Sequence, residues 1–234
     1  MSFVFFDIET IPAPAEDAAW RDKLARLDHG RPDFDPEAER RKTSLDPRHG
    51  RVICIGYAVD AGPVRVVHGL TDQPVEHVQR VQRFAESGDM DALDLDDWEN
   101  ATLRAFAAAV AEVVAPVFVG HNAEAFDIPF VQTRALCHSR PGGPLVDLVR
   151  ALSPIDEKPW LKPVHDTMRM FPGRRIALRD CVRLLGIDPQ TGPDGSEVYD
   201  CWRRGQVRDI VEHCRQDVAQ VRAVFRRLWP LLAR

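Results

Sequence analysis

Asp7 and Glu9 stand two residues apart in the run Phe3-Val-Phe-Phe-Asp-Ile-Glu-Thr10. On a strand that spacing puts both carboxylates on one face and turns Ile8 to the other. Like charges this close repel, and keeping both ionised needs a cation. Hard divalent ions such as Mg²⁺ take carboxylate oxygens and retain waters that a phosphate can replace. A strand that simply runs into solvent carries the same Asp-x-Glu, so the pair alone decides little. The second feature is Gly120-His-Asn-Ala-Glu-Ala-Phe-Asp127, a turn between a buried strand and a helix. Such a turn lies at the carboxyl edge of the sheet, where open α/β sheets hold ligands. Taken alone, Asp127 also reads as an acid favoured by the helix macrodipole. The third feature is His213-Cys-Arg-Gln-Asp217 in the last helix, where a spacing of four puts His213 and Asp217 on one face. Val218, Val221, Val224, Phe225 and Leu228 form the core stripe beside it. A solvated acid at the stripe's edge, or one paired with Arg215, fits that pattern too.

The elements that must position these residues follow from periodicity and turn chemistry. Phe3 to Ile8 is a short aromatic and β-branched run, a buried strand closed by Pro12 and Pro14. Residues 15–28 predict a charged helix, and 29–50, with little periodicity, a surface insertion in one domain spanning 1–234. Arg51 to Val59 and Gly62 to Gly69 are strands whose Asp60-Ala-Gly62 connection implies an antiparallel hairpin. Residues 72–98 are polar and acidic, with a loop and flap around Ser87 to Asp97. Glu99 to Val114 has helical spacing and is followed by the strand Val117 to Val119, then a helix over 126–138. Ser139 to Pro163 reads mostly as loop, Val164 to Met170 as a strand, and Ile176 to Leu185 as a helix closed by Gly186. A turn-rich loop at 190–196 precedes a long helix over 207–231. The order predicts an α/β fold, a mixed five- to six-stranded sheet flanked by helices, with Phe3 to Glu9 central. The first three strands form an antiparallel meander, and Val117 to Val119 runs parallel to the first.

Composition narrows the function classes. The chain has 234 residues with 31 Lys and Arg against 36 Asp and Glu, a net charge of −5, which disfavours bulk non-specific nucleic-acid coating. An enzyme that neutralises phosphate with metal ions remains compatible with it. The five cysteines (54, 137, 181, 201 and 214) contain no Cys-x-x-Cys pair. That argues against a disulfide framework or thiolate zinc site and fits a reducing cytoplasm. No apolar run reaches the roughly 20 residues of a membrane span, and the N-terminus lacks the basic leader of a signal peptide.

Together the three features resemble the DnaQ-like, or DEDD, superfamily of 3′–5′ exonucleases. More narrowly, the chain resembles the bacterial predicted exonucleases related to the exonuclease domain of family B DNA polymerases. The likeness rests on Phe5-Phe-Asp-Ile-Glu-Thr-Ile-Pro12, Asp46-Pro-Arg-His-Gly-Arg-Val-Ile-Cys-Ile-Gly56 and Gly120-His-Asn122. It rests also on His165-Asp-Thr-Met168, Asp194-Gly-Ser196 and Cys214-Arg-Gln-Asp-Val218. The fold it implies is RNase H-like. It implies that Asp7, Glu9, Asp127 and Asp217 hold two divalent ions, Mg²⁺ or Mn²⁺, about 3.5–4 Å apart, with Asp7 bridging. One ion activates the attacking water, the other stabilises the leaving 3′ oxygen, and a nucleoside 5′-monophosphate is released.

One position departs from the superfamily, whose branches place Tyr four residues, or His five, before the last Asp. Here His213 stands at the tyrosine spacing. At about 100° per residue, four residues leave it about 40° from Asp217 around the helix. Neutral imidazole accepts a proton near pH 7, so His213 is either a general base or a group that orients water, as Tyr would. Thr10, Asn122 and Phe126 are the candidate substrate contacts, Phe126 by stacking a base. Arg48, Arg51, Lys162, Arg174, Arg175 and Arg203 are candidate phosphate contacts, and Asp166 reads as structural. The expected partner is nucleic acid, single-stranded DNA or a 3′ overhang, with RNA as the alternative. A binding protein without catalysis is the third reading.

Overall fold

The alternation within strand β1 (Ser2–Ile11) organises the molecule. Val4, Phe6 and Ile8 face one side of the sheet, against Leu103, Phe106, Phe130 and Leu145. Phe3 and Phe5 face the other, packed on Val218, Val221 and Phe225 of the last helix. Burying each such phenylalanine stabilises by about 1.5–3 kcal/mol, enough to fix which face is which. Asp7 and Glu9 continue the Phe3–Phe5 row, so the face beneath the last helix turns from aromatic to acidic at the strand's carboxyl end.

The computed structural model describes residues 1–27, 33–71, 73, 75–87, 90, 93–153, 164–171, 175–188 and 195–232. After β1 come α1 (Ala18–Leu27), α2 (Pro36–Lys42), β2 (Arg51–Val59), β3 (Arg65–His68), α3 (Val75–Ser87) and α4 (Leu95–Ala111). They are followed by β4 (Pro116–Gly120), α5 (Asp127–Cys137), α6 (Pro144–Leu152), β5 (Val164–Asp166), α7 (Leu178–Leu184), α8 (Val198–Arg203) and α9 (Val207–Leu232). The five strands form one mixed sheet in the order β3-β2-β1-β4-β5. β1, β2 and β3 make the expected antiparallel meander, while β4 is parallel to β1 and β5 parallel to β4. This is the RNase H-like arrangement, with α4, α5 and α6 on one face and α9 on the other.

Two details of register matter for the site. In the β1–β2 pair Asp7 lies opposite Gly56 and Glu9 opposite Cys54, and the register then shifts so that Thr10 meets Val52. The parallel pairing of β1 with β4 ends at Phe5 and Val119, so β1 continues beyond its neighbour.

Several sequence expectations change. Residues 33–50 are not an irregular excursion: Asp35 caps α2 by accepting from the N–H groups of Glu37 and Ala38, with Pro36 in the first turn. Thr43, at the end of that helix, is buried and accepts from the Ala13 N–H at 2.8 Å. Residues 29–32 lie outside the described residues. The polar, acidic stretch 72–98 contains α3, and α4 begins inside the loop and flap expected around 87–97, with Asp94 as its N-cap rather than a residue near Glu99. The flap's residues 88, 89, 91 and 92 lie outside the described residues. Within 139–163, Leu145, Leu148 and Leu152 form the buried stripe of α6, and 154–163 are not described. The strand expected over Val164 to Met170 stops at Asp166 and continues as a 3-10 turn. In the loop read over 190–196, residues 190–194 are not described, and α8 after it carries no prior expectation.

Candidate active site

The sheet delivers four carboxylates to one place from three separate segments. Asp7 and Glu9 come from β1, Asp127 from the first turn of α5, and Asp217 from the middle of α9. α9 lies very close to β2 at Gly56, the residue opposite Asp7. A β-carbon at Gly56 would meet Val218 Cγ2 at 2.8 Å, Cys214 Sγ at 2.9 Å and the Cys214 carbonyl at 3.0 Å. Glycine therefore sets how near Asp217 comes to the acids of β1.

Asp127 enters from the other flank. Beyond Phe5 the edge of β1 facing β4 has lost its ladder partner, and the N–H of Ile8 instead donates to Asp127 Oδ1 at 3.2 Å. The turn that carries Asp127 is held by Asp166. Its carboxylate accepts from the N–H groups of Asn122 at 2.8 Å, Glu124 at 3.2 Å and Met168 at 2.9 Å. Asp166 is thus saturated by backbone donors, matching its structural reading. Asn122 adopts φ of +64°, a left-handed conformation that asparagine tolerates. His121 Nε2 donates to the Ile176 carbonyl at 2.8 Å and Nδ1 lies 2.9 Å from the Thr167 hydroxyl; burial lowers its pKa, so it is a neutral strut.

The electrostatics are those of crowded acids. Burial, then the charges of Asp127 and Asp217, raise the Asp7 carboxyl well above the ordinary range. Burial, then Asp7, do the same to Glu9. Burial raises Asp127 to about 7 against the lowering pull of its own N–H and that of Ile8. His213 closes the group: its Nε2 is 3.4 Å from Glu9 Oε1 and 3.8 Å from Asp217 Oδ2. Behind the acids lie two thiols absent from the sequence-derived site. Cys214 Sγ is 3.6 Å from the Asp7 carbonyl, and ligand atoms of Asp7, Glu9 and Cys214 fall within 4.8 Å of one another. Burial, then its thiol neighbour Cys54, push the Cys214 thiol up, so it stays protonated. The signal for Cys214 was its place three residues before Asp217 on one helix face. Oxygen-rich and short of positive charge, this donor set fits a hard divalent cation.

Other candidate residues are placed differently. The Thr10 hydroxyl donates to the Ser44 carbonyl at 2.7 Å, tying α2's trailing segment to β1. Its hydrogen is committed within the fold. Asn122 and Phe126 are half-exposed on the turn before Asp127, with one side of Phe126 against Phe130, centroids 5.5 Å apart. Arg51 is no phosphate contact: it is buried, bonding Asp96 at 2.8 Å and Asp17 at 3.2 Å. Arg48 pairs with Asp46, while Lys162 and Arg174 lie outside the described residues. Asp96, Glu99 and His138 form another cluster of potential ligands, but guanidinium groups already fill it. Glu99, fully buried, takes Arg134 at 2.7 Å and His138 at 2.8 Å, and holds the Val52 N–H at 2.7 Å.

Comparison with known proteins gives a family match over the C-terminal part of the chain. Residues 161–232, which include His213 and Asp217, match a family described as predicted 3′-5′ exonuclease related to the exonuclease domain of PolB. The chain resembles that family there. No curated protein matches. Over 99% of its length the chain is similar to the family B DNA polymerase from the hyperthermophilic archaeon Pyrobaculum calidifontis, at 18% identity and a TM-score of 0.48. It spans a quarter, 25%, of that polymerase chain. Among the described residues no helix is long and apolar enough to cross a membrane.

Proposed function

We propose that this protein is a divalent-metal-dependent 3′–5′ exonuclease that hydrolyses the terminal phosphodiester bond of single-stranded nucleic acid and releases nucleoside 5′-monophosphates. The supporting observation is the convergence of Asp7, Glu9, Asp127 and Asp217, three of which are pushed toward protonation by burial and by one another. Such a cluster costs stability and is hard to explain without a cation to offset it. Two divalent ions, Mg²⁺ or Mn²⁺, held by these four residues would supply the Lewis acidity and charge neutralisation that phosphodiester cleavage needs.

The chain's own groups do the rest. Asp7, acted on by the charges of both Asp127 and Asp217, would be the ligand shared between the two sides. Glu9 and Asp217 form the side toward α9, with His213. Asp127 forms the other, its oxygen steered by the Ile8 N–H. Asn122 and Phe126 present an amide and a ring face at the lip of the site, where the terminal nucleotide would be held. With a net charge of −5, affinity for phosphate comes from the metal site more than from a basic surface. The five cysteines are all free, which suits a reducing compartment.

The test is digestion of matched 5′-labelled DNA and RNA oligonucleotides with Mg²⁺, Mn²⁺ or EDTA. A ladder shortening from the 3′ end, abolished by EDTA and by Asp7→Ala, is expected, with the DNA strand shortened faster. No hydrolysis of either strand by metal-loaded protein would overturn the reading.

A further inference from the structure

His213 stands in an unusual relation to its acidic neighbours. Its Nε2 is 3.4 Å from Glu9 Oε1 and 3.8 Å from Asp217 Oδ2, while the side chain is only 12% exposed. Both separations exceed the roughly 2.7–3.2 Å of an N–H···O hydrogen bond. The nitrogen faces two carboxylates without bonding to either. The ligand atoms of Glu9, His213 and Asp217 all lie within 4.8 Å of one another. Two bonds of about 2.0–2.2 Å to a shared ion span donor separations of roughly 3–4 Å, the range seen here. α9 presents His213 one turn before Asp217, so both side chains lean toward the same point. Gly195 lies near the same nitrogen, and a β-carbon there would be 3.9 Å from Nε2.

We propose that His213 is a nitrogen ligand to one divalent ion, shared with Glu9 and Asp217. The inference rests on the metal-dependent reading above and adds a prediction of metal choice. Mg²⁺ is held by oxygen, whereas first-row transition ions accept an imidazole nitrogen more readily, Mn²⁺ least among them and with affinities rising through Co²⁺ toward Cu²⁺. One position of the site is therefore tuned to Mn²⁺ over Mg²⁺. A neutral nitrogen also completes the ligand set without adding a further negative charge to acids that already repel. A lone pair committed to the ion cannot take a proton from water, so ligation replaces the roles of base and water-orienting group for this side chain.

The decisive measurement is pulsed electron paramagnetic resonance of Mn²⁺ bound to the full chain at pH 8. It is paired with Mn²⁺ and Mg²⁺ titrations of the parent, His213→Tyr, His213→Ala and Asp7→Asn, each shown folded by circular dichroism. The parent should show the ¹⁴N coupling of a directly bound imidazole, and both His213 variants should lose it. Mn²⁺ affinity should drop in those variants by at least the roughly 10- to 100-fold that losing a group behind a ligand costs, with a smaller change for Mg²⁺. Mn²⁺ bound to the parent without ¹⁴N coupling, or coupling that persists in both variants, overturns the ligand assignment and leaves the exonuclease reading standing. Failure of the parent to bind Mn²⁺, or binding untouched by Asp7→Asn, overturns both. The parent spectrum alone can refute the proposal, whatever the variants' stability.

Discussion

The backbone N–H of Ile8 donates to Oδ1 of Asp127 across 119 residues of sequence. It replaces the ladder bond that β1 loses where its pairing with β4 stops at Phe5. A buried N–H left without an acceptor costs about 1–3 kcal/mol, so Asp127 has a structural role besides its charge. Asp127→Asn keeps an acceptor and removes repulsion, whereas Asp127→Ala removes both. In urea unfolding with EDTA, Asp127→Asn should be at least as stable as the parent and Asp127→Ala about 1–2 kcal/mol below Asp127→Asn. Both should lose hydrolysis. Equal stability of the two variants would show that the Ile8 bond contributes nothing.

The raised carboxyl groups fix the sign of the pH dependence. Asp7, Glu9 and Asp127 hold protons in the folded protein that the unfolded chain releases near pH 4. Between about pH 4 and the folded values, about 7 for Asp127, the native state binds more protons, so stability falls as pH rises. The slope is up to about 1.4 kcal/mol per pH unit for each titrating group. Asp46 and Asp200, held low by Arg48 and Arg41, act in the opposite sense and only below about pH 4. Calorimetry of the metal-free protein should give a lower Tm at pH 8 than at pH 5.5. Mn²⁺ should restore it at pH 8 and do little at pH 5.5, and Asp7→Asn should flatten the profile. A metal-free Tm that rises toward pH 8 would mean the acids are not crowded as described.

What the sequence revealed was whatever depends on local periodicity. The two-residue spacing of Asp7 and Glu9 set their common face, and the short connection at Asp60 to Gly62 set the hairpin. What stayed hidden depends on which distant groups meet. Arg51 reads as a candidate phosphate contact until Asp17, and Asp96 and Glu99 of α4, close around it. α2 has no apolar stripe because it is anchored by polar contacts, Arg40 to the Ala13 carbonyl and to Tyr199, and Thr43 just beyond it to the Ala13 N–H. The capture of Thr10 by Ser44 follows from that docking and could not be seen without it. Leu145, Leu148 and Leu152 did carry a helical signal, masked by the prolines and glycines around it.

The Glu99 cluster should behave as a structural ion network and not as a second metal site. Arg134→Met strands the fully buried Glu99 without its main counter-charge, which costs about 3–5 kcal/mol. Adding Glu99→Gln should recover part of that loss, because the amide oxygen still accepts the Val52 N–H. Chemical denaturation of the single and double variants checks the pattern. The midpoint of Mn²⁺ binding at the acidic site should stay where it is in the parent. A shift comparable to that of Asp7→Asn would mean the two clusters are coupled through β2.

The final prediction concerns the close approach of α9 to the sheet. At Gly56 a methyl group would press on Val218 Cγ2 at 2.8 Å, Cys214 Sγ at 2.9 Å and the Cys214 carbonyl at 3.0 Å. Because one of these is backbone, side-chain rotation cannot relieve the clash, and α9 must lift. Gly56→Ala should therefore cost about 1–3 kcal/mol as an overpacked core substitution. Its larger effect should be on chemistry, since α9 carries both His213 and Asp217 over Asp7 and Glu9. Displacing a catalytic group by about 1 Å commonly lowers kcat about 10²-fold. Val218→Ala alone opens space next to position 56 and should restore part of the activity when combined with Gly56→Ala. Single-turnover cleavage at saturating Mn²⁺, read beside the unfolding curves, separates the two effects. A Gly56→Ala protein that is less stable but fully active would mean that α9 and the acids of β1 need no fixed spacing to work together.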